Sequence, residues 1–380
     1  MLIASFYDGV EIHRGNKFIA VKFVVPHRVI STCRVNGGIT DSLEMVFNHQ
    51  VCEPSDHFPP VQKLAIDEPS AYMEKICSIY KLSHNSASLS TAANMNCASI
   101  QRMEFRKLEV VAICTAGVEG NAGCAGDPAN IYEENGQFRP VEETETKSCG
   151  TINVIVCINK PLIPGAMVRS VITATEAKAA ALRELNVNSR YSSNLATGTG
   201  TDQLAIASML TGEKPLTGAG KHTKLGELIG KTVKKAVKEA LSYQCKLTPE
   251  NQRSLIIHLE RFGTDRETAK KEIVKCLPEE KAKLFEDNFA AIDRDPLSVA
   301  GVAALVHLFD KLHWGILPET CTKDVFVTHG AHLAAAVSGK YECVPLYRDK
   351  LSELHLTCDN DSFLRVVYKS LAIGFEEKWD

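Results

Sequence analysis

The chain has no apolar run long enough to span a bilayer, so no membrane-spanning helix is expected. It has no excess of positive charge: 43 Lys and Arg stand against 46 Asp and Glu, for a net charge of −3. A basic footprint for nucleic acid is therefore missing. No C-x-x-C pair, no H-E-x-x-H and no Cys/His quartet of zinc-finger spacing occurs. His307, His313, His329 and His332 read as helix-face or core residues, and no metal is expected. No G-x-S-x-G elbow marks a serine hydrolase. A P-loop also fails: GAGKHT (218–223) carries His222 where Ser or Thr belongs, and Pro215 where the first glycine belongs. The N-terminus, MLIASFYDGVEIHRG, lacks the layout of a secretory signal. Thirteen cysteines are scattered along the chain, mostly beside apolar residues, as Cys114, Cys157 and Cys343 are. They read as small core residues of a protein in the reducing cytoplasm, not as a disulfide framework.

What is present is organised around residues 150–202. GTINVIVCIN (150–159) reads as a buried strand, with Ile152, Val154, Ile155, Val156, Cys157 and Ile158 in one short run. In TATEAKAAALREL (173–185), Ala174, Ala177, Ala181 and Leu185 recur at helical spacing. ATGTGTD (196–202) is neither: Thr197, Thr199 and Thr201 alternate with Gly198 and Gly200 before Asp202. Such a row is either a tight turn whose threonines cap the next element, or a ligand-binding segment.

A length of 380 residues predicts two domains. FIAVKFVV (18–25), RVIST (28–32), LEVVAICTAG (108–117) and QLAIASML (203–210) read as further strands. ASLSTAANMN (87–96) shows no clear pattern, and the polar, acidic stretch 129–148 reads as a surface insertion. HTKLGELIGKTVKKAVKEAL (222–241) is an amphipathic helix, with Lys231, Lys234, Lys235 and Lys238 on its solvated face. Beyond about residue 245 the pattern turns helical almost throughout, interrupted by LPETCTKDVFV (317–327). The expected fold class is an α/β (α+β) layered core, residues 1–244, with a mainly α C-terminal appendage, residues 245–380. In the core, strands from 18–35, 108–116, 151–159 and 203–210 should pack against helices 167–186 and 224–241.

Hydroxyl and glycine residues gather at the ends of these apolar runs: Ser31–Thr32, Ser90–Thr91, Thr115–Gly117, Gly150–Thr151 and Thr197–Asp202. Strand ends commonly collect ligand-binding groups. Together ISTCRVNGG (30–38), LSTAANMN (89–96), CTAGVEGNAGCAGDP (114–128), GTINVIVCIN (150–159), TATEAKAAAL (173–182), ATGTGTD (196–202) and HTKLGELIG (222–230) resemble the adenosylcobinamide amidohydrolase family of corrinoid salvage. Cys33 and Asn94 depart from the family pattern. The resemblance covers roughly residues 15–242 and implies hydrolysis of the amide between the corrin-ring propionate and aminopropanol. The product would be adenosylcobyric acid, a step of cobalamin remodelling, with the corrinoid as substrate and no separate cofactor. Thr32, Thr91, Thr115, Asn121, Thr151, Glu176, Thr199 and Asp202 are then expected to line one cleft, with Thr197 and Thr201 among the binding hydroxyls.

The order CTAGVEG, GTINVIV, helix, GTGTD is also similar to the ornithine acetyltransferase and DmpA-type aminopeptidase group. That similarity implies Thr151 as nucleophile, freed as a new N-terminus by cleavage at Gly150–Thr151, with Thr115 and Gly117 helping to bind the oxyanion. The alternative is a water activated by Glu176 or Asp202 as general base, with metal assistance a third route. A second functional class stays open, a corrinoid-binding protein for delivery or sensing without hydrolysis.

Overall fold

The computed structural model describes residues 1–52, 60–141 and 150–378. The chain divides into two compact units, Met1–Leu247 and Thr248–Asp380.

The first unit runs β1 (Leu2–Phe6), β2 (Val10–Arg14), β3 (Phe18–Phe23), β4 (His27–Ser31), β5 (Gly38–Thr40) and β6 (Met45–Gln50), then α1 (Pro60–Asp67) and α2 (Pro69–Tyr80). There follow β7 (Ser86–Thr91), β8 (Ser99–Phe105), β9 (Leu108–Ala116), β10 (Ala122–Gly123), β11 (Ile131–Glu134), β12 (Gln137–Pro140) and β13 (Ile152–Ile158). Helix α3 (Pro164–Glu184), β14 (Gly198–Thr199), β15 (Gln203–Met209) and α4 (Lys224–Gln244) complete it. The first of the two large sheets has the order β1-β2-β3-β6-β7 and the second β5-β4-β15-β13-β9-β8; β10 pairs with β14 and β11 with β12 in two-stranded ribbons.

The sheets face each other across an apolar layer that includes Ile12, Val21, Val46 and Leu89 from the first, and Val111, Ile113, Ile155, Cys157 and Ala205 from the second. Helix α2 covers the outer face of the first sheet, placing Tyr72, Met73 and Ile76 on Phe18, Ala20 and Phe47. Helices α3 and α4 cover the outer face of the second, placing Ala174, Ala177, Val233 and Val237 on Val110, Cys114, Val154 and Val156. The result is four layers, helix–sheet–sheet–helix. A strand covered on both faces has no polar side, which is why β13 reads as a continuous apolar run. It pairs in parallel with β15 and antiparallel with β9. A parallel pair needs a crossover, and α3 supplies it.

Three local readings differ from the sequence pattern. Residues 18–25 and 28–32 do not share a sheet: β3 joins the first and β4 the second. Pro26, which has no N–H for a ladder, stands between them. Residues 86–91, which carry no strong strand signal, form β7 because β6 offers a free edge and Ala87 and Leu89 fit the layer between sheets. In the acidic insertion, β11 and β12 make an exposed hairpin closed by Asn135 and Gly136, both at positive φ. Its acidic residues Glu142, Glu143 and Glu145 lie outside the described residues.

The second unit contains helices α5 (Pro249–Gln252), α6 (Leu255–Leu259), α7 (Arg266–Val274), α8 (Glu279–Asp293), α9 (Pro296–His313), α10 (Thr322–Ser338), α11 (Val344–Ser352) and α12 (Asn360–Lys378). Its core includes Phe262, Phe285, Phe289, Phe309, Phe326, Phe363 and Phe375. The break at 317–327 is shorter than its sequence suggests, because residues 322–327 already belong to α10.

Candidate active site

The parallel strands β13 and β15 begin side by side, and the last residues of β9 end beside the start of β13. Asp202, the residue before β15, ties this edge together. Its Oδ1 accepts from the Ile152 N–H at 2.9 Å and from the Thr199 hydroxyl at 2.6 Å. Its Oδ2 accepts from the Thr199 N–H at 3.0 Å and from the ammonium of Lys178 on α3. Both side chains of this ion pair are only 14% exposed. Gly198 leaves the room: a Cβ there would sit 2.5 Å from Asp202 Oδ2 and 2.7 Å from Lys178 Nζ.

Thr151 lies one residue before β13 and is 5% exposed. Its Oγ1 is 2.6 Å from Thr201 Oγ1 and 2.8 Å from the Gly150 carbonyl oxygen. The Thr201 hydroxyl also reaches that carbonyl, at 2.9 Å. Gly150 is hemmed in, since a Cβ would meet Asn121 Oδ1 at 2.5 Å and the Gly117 carbonyl oxygen at 2.7 Å. Asn121 Oδ1 is buried and has no hydrogen-bond partner among the described residues. It is an acceptor left open beside Thr151. Thr115, 1% exposed, accepts at its Oγ1 from Asn48 Nδ2 at 2.7 Å. Behind the pair, burial and the charge of Asp202 push the Cys114 thiol well up and keep it protonated.

Thr151, Thr199, Thr201 and Asp202 therefore form one hydrogen-bonded cluster, with Asn121 in contact through Gly150 and Thr115 on the neighbouring strand. Thr32, Thr91 and Thr197 stand at the margins and hold backbone: their hydroxyls accept from the N–H groups of Leu204, Ala93 and Ala125, the first and last joining segments far apart in the chain. Two expectations are corrected. Glu176 does not join the cluster. It is exposed on α3 and paired with Lys221 at 2.6 Å, because it points away from the sheet edge that α3 reaches through Lys178. Gly117 offers no free N–H to an oxyanion, since that N–H donates to the Thr151 carbonyl at 3.0 Å. Gly117 holds the backbone of Thr151 instead.

Three residues escape a reading of sequence alone: Lys178, Asn48 and Asn153. Lys178 carries a signal, because it occupies a position of the Ala174, Ala177, Ala181 stripe, where an apolar residue belongs. Asn153 is the one polar residue inside the apolar run of β13. Asn48 lies on β6, which has no recognisable motif. Among the described residues no group of three or more His, Cys, Asp or Glu is arranged to hold a metal ion.

A protein of Methanocaldococcus jannaschii, MJ1613, described as uncharacterized, is 42% identical over 171 residues, covering 42% of this chain. The match spans 64% of the length of that relative. The crystal structure of the PH0078 protein from Pyrococcus horikoshii OT3 superposes with a TM-score of 0.32 and 11% identity, over 62% of this chain and 83% of that one. That likeness is too remote to carry an argument. Residues 3–249 match the family model CbiZ, adenosylcobinamide amidohydrolase, which covers the site cluster and all four layers of the first unit, and the chain belongs to that family.

Proposed function

We propose that the protein hydrolyses the amide joining the corrin-ring propionate to aminopropanol in adenosylcobinamide, releasing adenosylcobyric acid and aminopropanol. The observation that carries this reading is the Thr151 hydroxyl, buried at a strand end and held by Thr201 above a turn fixed by Asp202 and Lys178. Rigid placement of a nucleophile is what such chemistry demands.

In this reading Thr151 Oγ attacks the amide carbonyl carbon, and the C–N bond of the tetrahedral intermediate breaks. The amine leaves with a proton, and water then cleaves the acyl–threonine ester to the carboxylate. Thr115 is the candidate donor to the carbonyl oxygen as it gains negative charge. Asp202 is poorly suited to activate water, since four donors already occupy its two oxygens. Glu176 is set apart in its pair with Lys221. Thr151 still needs a base, and its own α-amine becomes one if the Gly150–Thr151 bond opens. The Thr151 and Thr201 hydroxyls have two hydrogens for three contacts, so one donates to the carbonyl oxygen of that bond and the other donates within the pair; the first bond polarises the carbonyl toward attack.

The test is incubation with adenosylcobinamide and detection of released aminopropanol. Thr151→Ala should abolish release and keep corrinoid binding, while Thr151→Ser should keep part of the rate. Mass spectrometry of the denatured wild type should find two fragments split at Gly150–Thr151, and an intact chain for the alanine variant. Tight binding of the corrinoid with no aminopropanol released would replace the hydrolase by a carrier or sensor.

A further inference from the structure

Two residues inward from Thr151, at Asn153, a chain of hydrogen bonds crosses between the two sheets. Its direction is set by backbone groups that have only one possible role. The N–H of Gln203 donates to Asn153 Oδ1 at 3.2 Å. Asn153 must then present its Nδ2 on the other side, and that nitrogen donates to the Ser90 carbonyl oxygen at 2.9 Å. The same Nδ2 donates to Asn48 Oδ1 at 2.9 Å, which turns Asn48 Nδ2 toward Thr115 Oγ1 at 2.7 Å. An amide nitrogen can only donate, so the Thr115 oxygen accepts and keeps its own hydrogen for another partner. Asn amide orientations are ordinarily assigned from their surroundings; here an obligatory donor at one end and an obligatory acceptor beside it leave one assignment. Ser90 is itself fixed, because its N–H donates to Gln203 Oε1 at 2.8 Å.

The relay is buried and close to the reacting residue. Asn48, Asn153 and Thr115 are 2%, 1% and 1% exposed. Thr115 pairs in register with Asn153, and Thr151 lies two residues before Asn153. Side chains alternate along strands, so Thr115 and Asn153 project from the same face of the second sheet, toward the first. The two asparagines are buried beside a layer of Val, Ile, Leu, Ala, Cys and Met side chains, where a polar group is costly unless it is hydrogen-bonded.

We propose that Asn153 and Asn48 are positioning residues that commit the Thr115 hydroxyl to donate to the carbonyl oxygen of the bound amide. The inference rests on the hydrolase reading above. A free hydroxyl rotates and accepts as readily as it donates. One that already accepts from a fixed amide donates without reorganising, which is the source of most oxyanion stabilisation.

Asn48→Asp tests this with almost no change of shape. The carboxylate still accepts from Asn153, but toward Thr115 it is an acceptor and captures the hydroxyl hydrogen. The expected result is a fall in kcat of about 100-fold, the usual cost of one oxyanion donor, with KM nearly unchanged. Thr115→Val should lose as much, and the double variant Asn48→Asp/Thr115→Val should be no worse than Thr115→Val alone. Should Asn48→Asp fail to fold, Asn153→Asp reverses the same relay from its other end and should show the same non-additivity. Wild-type kcat in a folded reversing variant, or losses that multiply in the double variant, would overturn the proposal. If the wild type leaves adenosylcobinamide uncut, the hydrolase reading falls instead. The relay is then judged by NMR of protein labelled with ¹⁵N at asparagine: Nδ2 hydrogens of Asn48 should show cross-peaks to the Thr115 side chain. Cross-peaks from those hydrogens to Asn153 alone would reject the assigned direction.

Discussion

At the scale of single residues, the site is held by one carboxylate with four donors. Asp202 cannot move without breaking the start of β13, the Thr199 turn and the Lys178 pair together. Lys178→Met should therefore be costly, because it leaves a largely buried carboxylate without its cation. A loss of about 3 kcal/mol in urea unfolding is expected, the usual result of removing one partner of a buried pair. Turnover should fall with it, since Thr201 is the neighbour of both Asp202 and Thr151. The glycines allow a sharper comparison. Gly150→Ala places a Cβ 2.7 Å from a backbone oxygen, which cannot step aside as a side chain can. Overpacking of this kind costs about 1–3 kcal/mol, and here it also displaces Thr151. Gly200→Ala meets nothing within 4 Å and serves as the control. Aminopropanol release should be lost in the first variant and retained in the second.

At the scale of elements, β6 joins the two sides of the first sheet. Its Phe47 packs under α2, while its Asn48 enters the relay. Between the sheet and α2 lies His49, 3% exposed, with Nδ1 2.8 Å from the Tyr72 hydroxyl and the Tyr80 ring 5.5 Å away. Burial, reinforced by the nearby charge of Lys17, lowers the His49 pKa to about 4. The folded state thus holds His49 neutral, while the unfolded chain takes up a proton near the ordinary value of 6.5. The associated stability is complete above pH 6.5 and is lost as pH falls toward 4. It amounts to roughly 3 kcal/mol for a shift of this size. Buried His27 on β4 has the same direction and adds to the slope. Urea midpoints measured at pH 7 and pH 4.5 should fall for the wild type, and fall less for His49→Gln. An equal fall in both would remove His49 from the acid response.

At the scale of the whole chain, each unit has a core of its own. The first has three apolar layers between its four strata, and the second is centred on a cluster of seven phenylalanines. The second also contains a buried ion pair, Arg261 with both oxygens of Asp310, at 2.9 and 2.8 Å. A polypeptide of residues 1–247 should therefore unfold cooperatively and keep aminopropanol release, and residues 248–380 should give a helical circular-dichroism spectrum alone. A soluble first unit without turnover would assign the second unit a part in catalysis.

The sequence by itself determined the elements with strong local patterns and the segments that carry chemistry. The run 152–158 announces a doubly buried strand, and residues 222–241 announce a helix by their apolar period. The alternation of threonine and glycine at 197–202 marks a special turn, and these segments together carry the family resemblance. Only the tertiary structure decided which polar groups meet. A helical period says that α3 has a buried face, but not which residue of that face reaches the strand edge, so Glu176 and Lys178 are separated only once β15 is in place. The use of the Gly117 N–H follows from the β9–β13 register, and the role of Asn48 follows from the stacking of two sheets. Both are long-range pairings between segments far apart in the chain, and no local propensity encodes them.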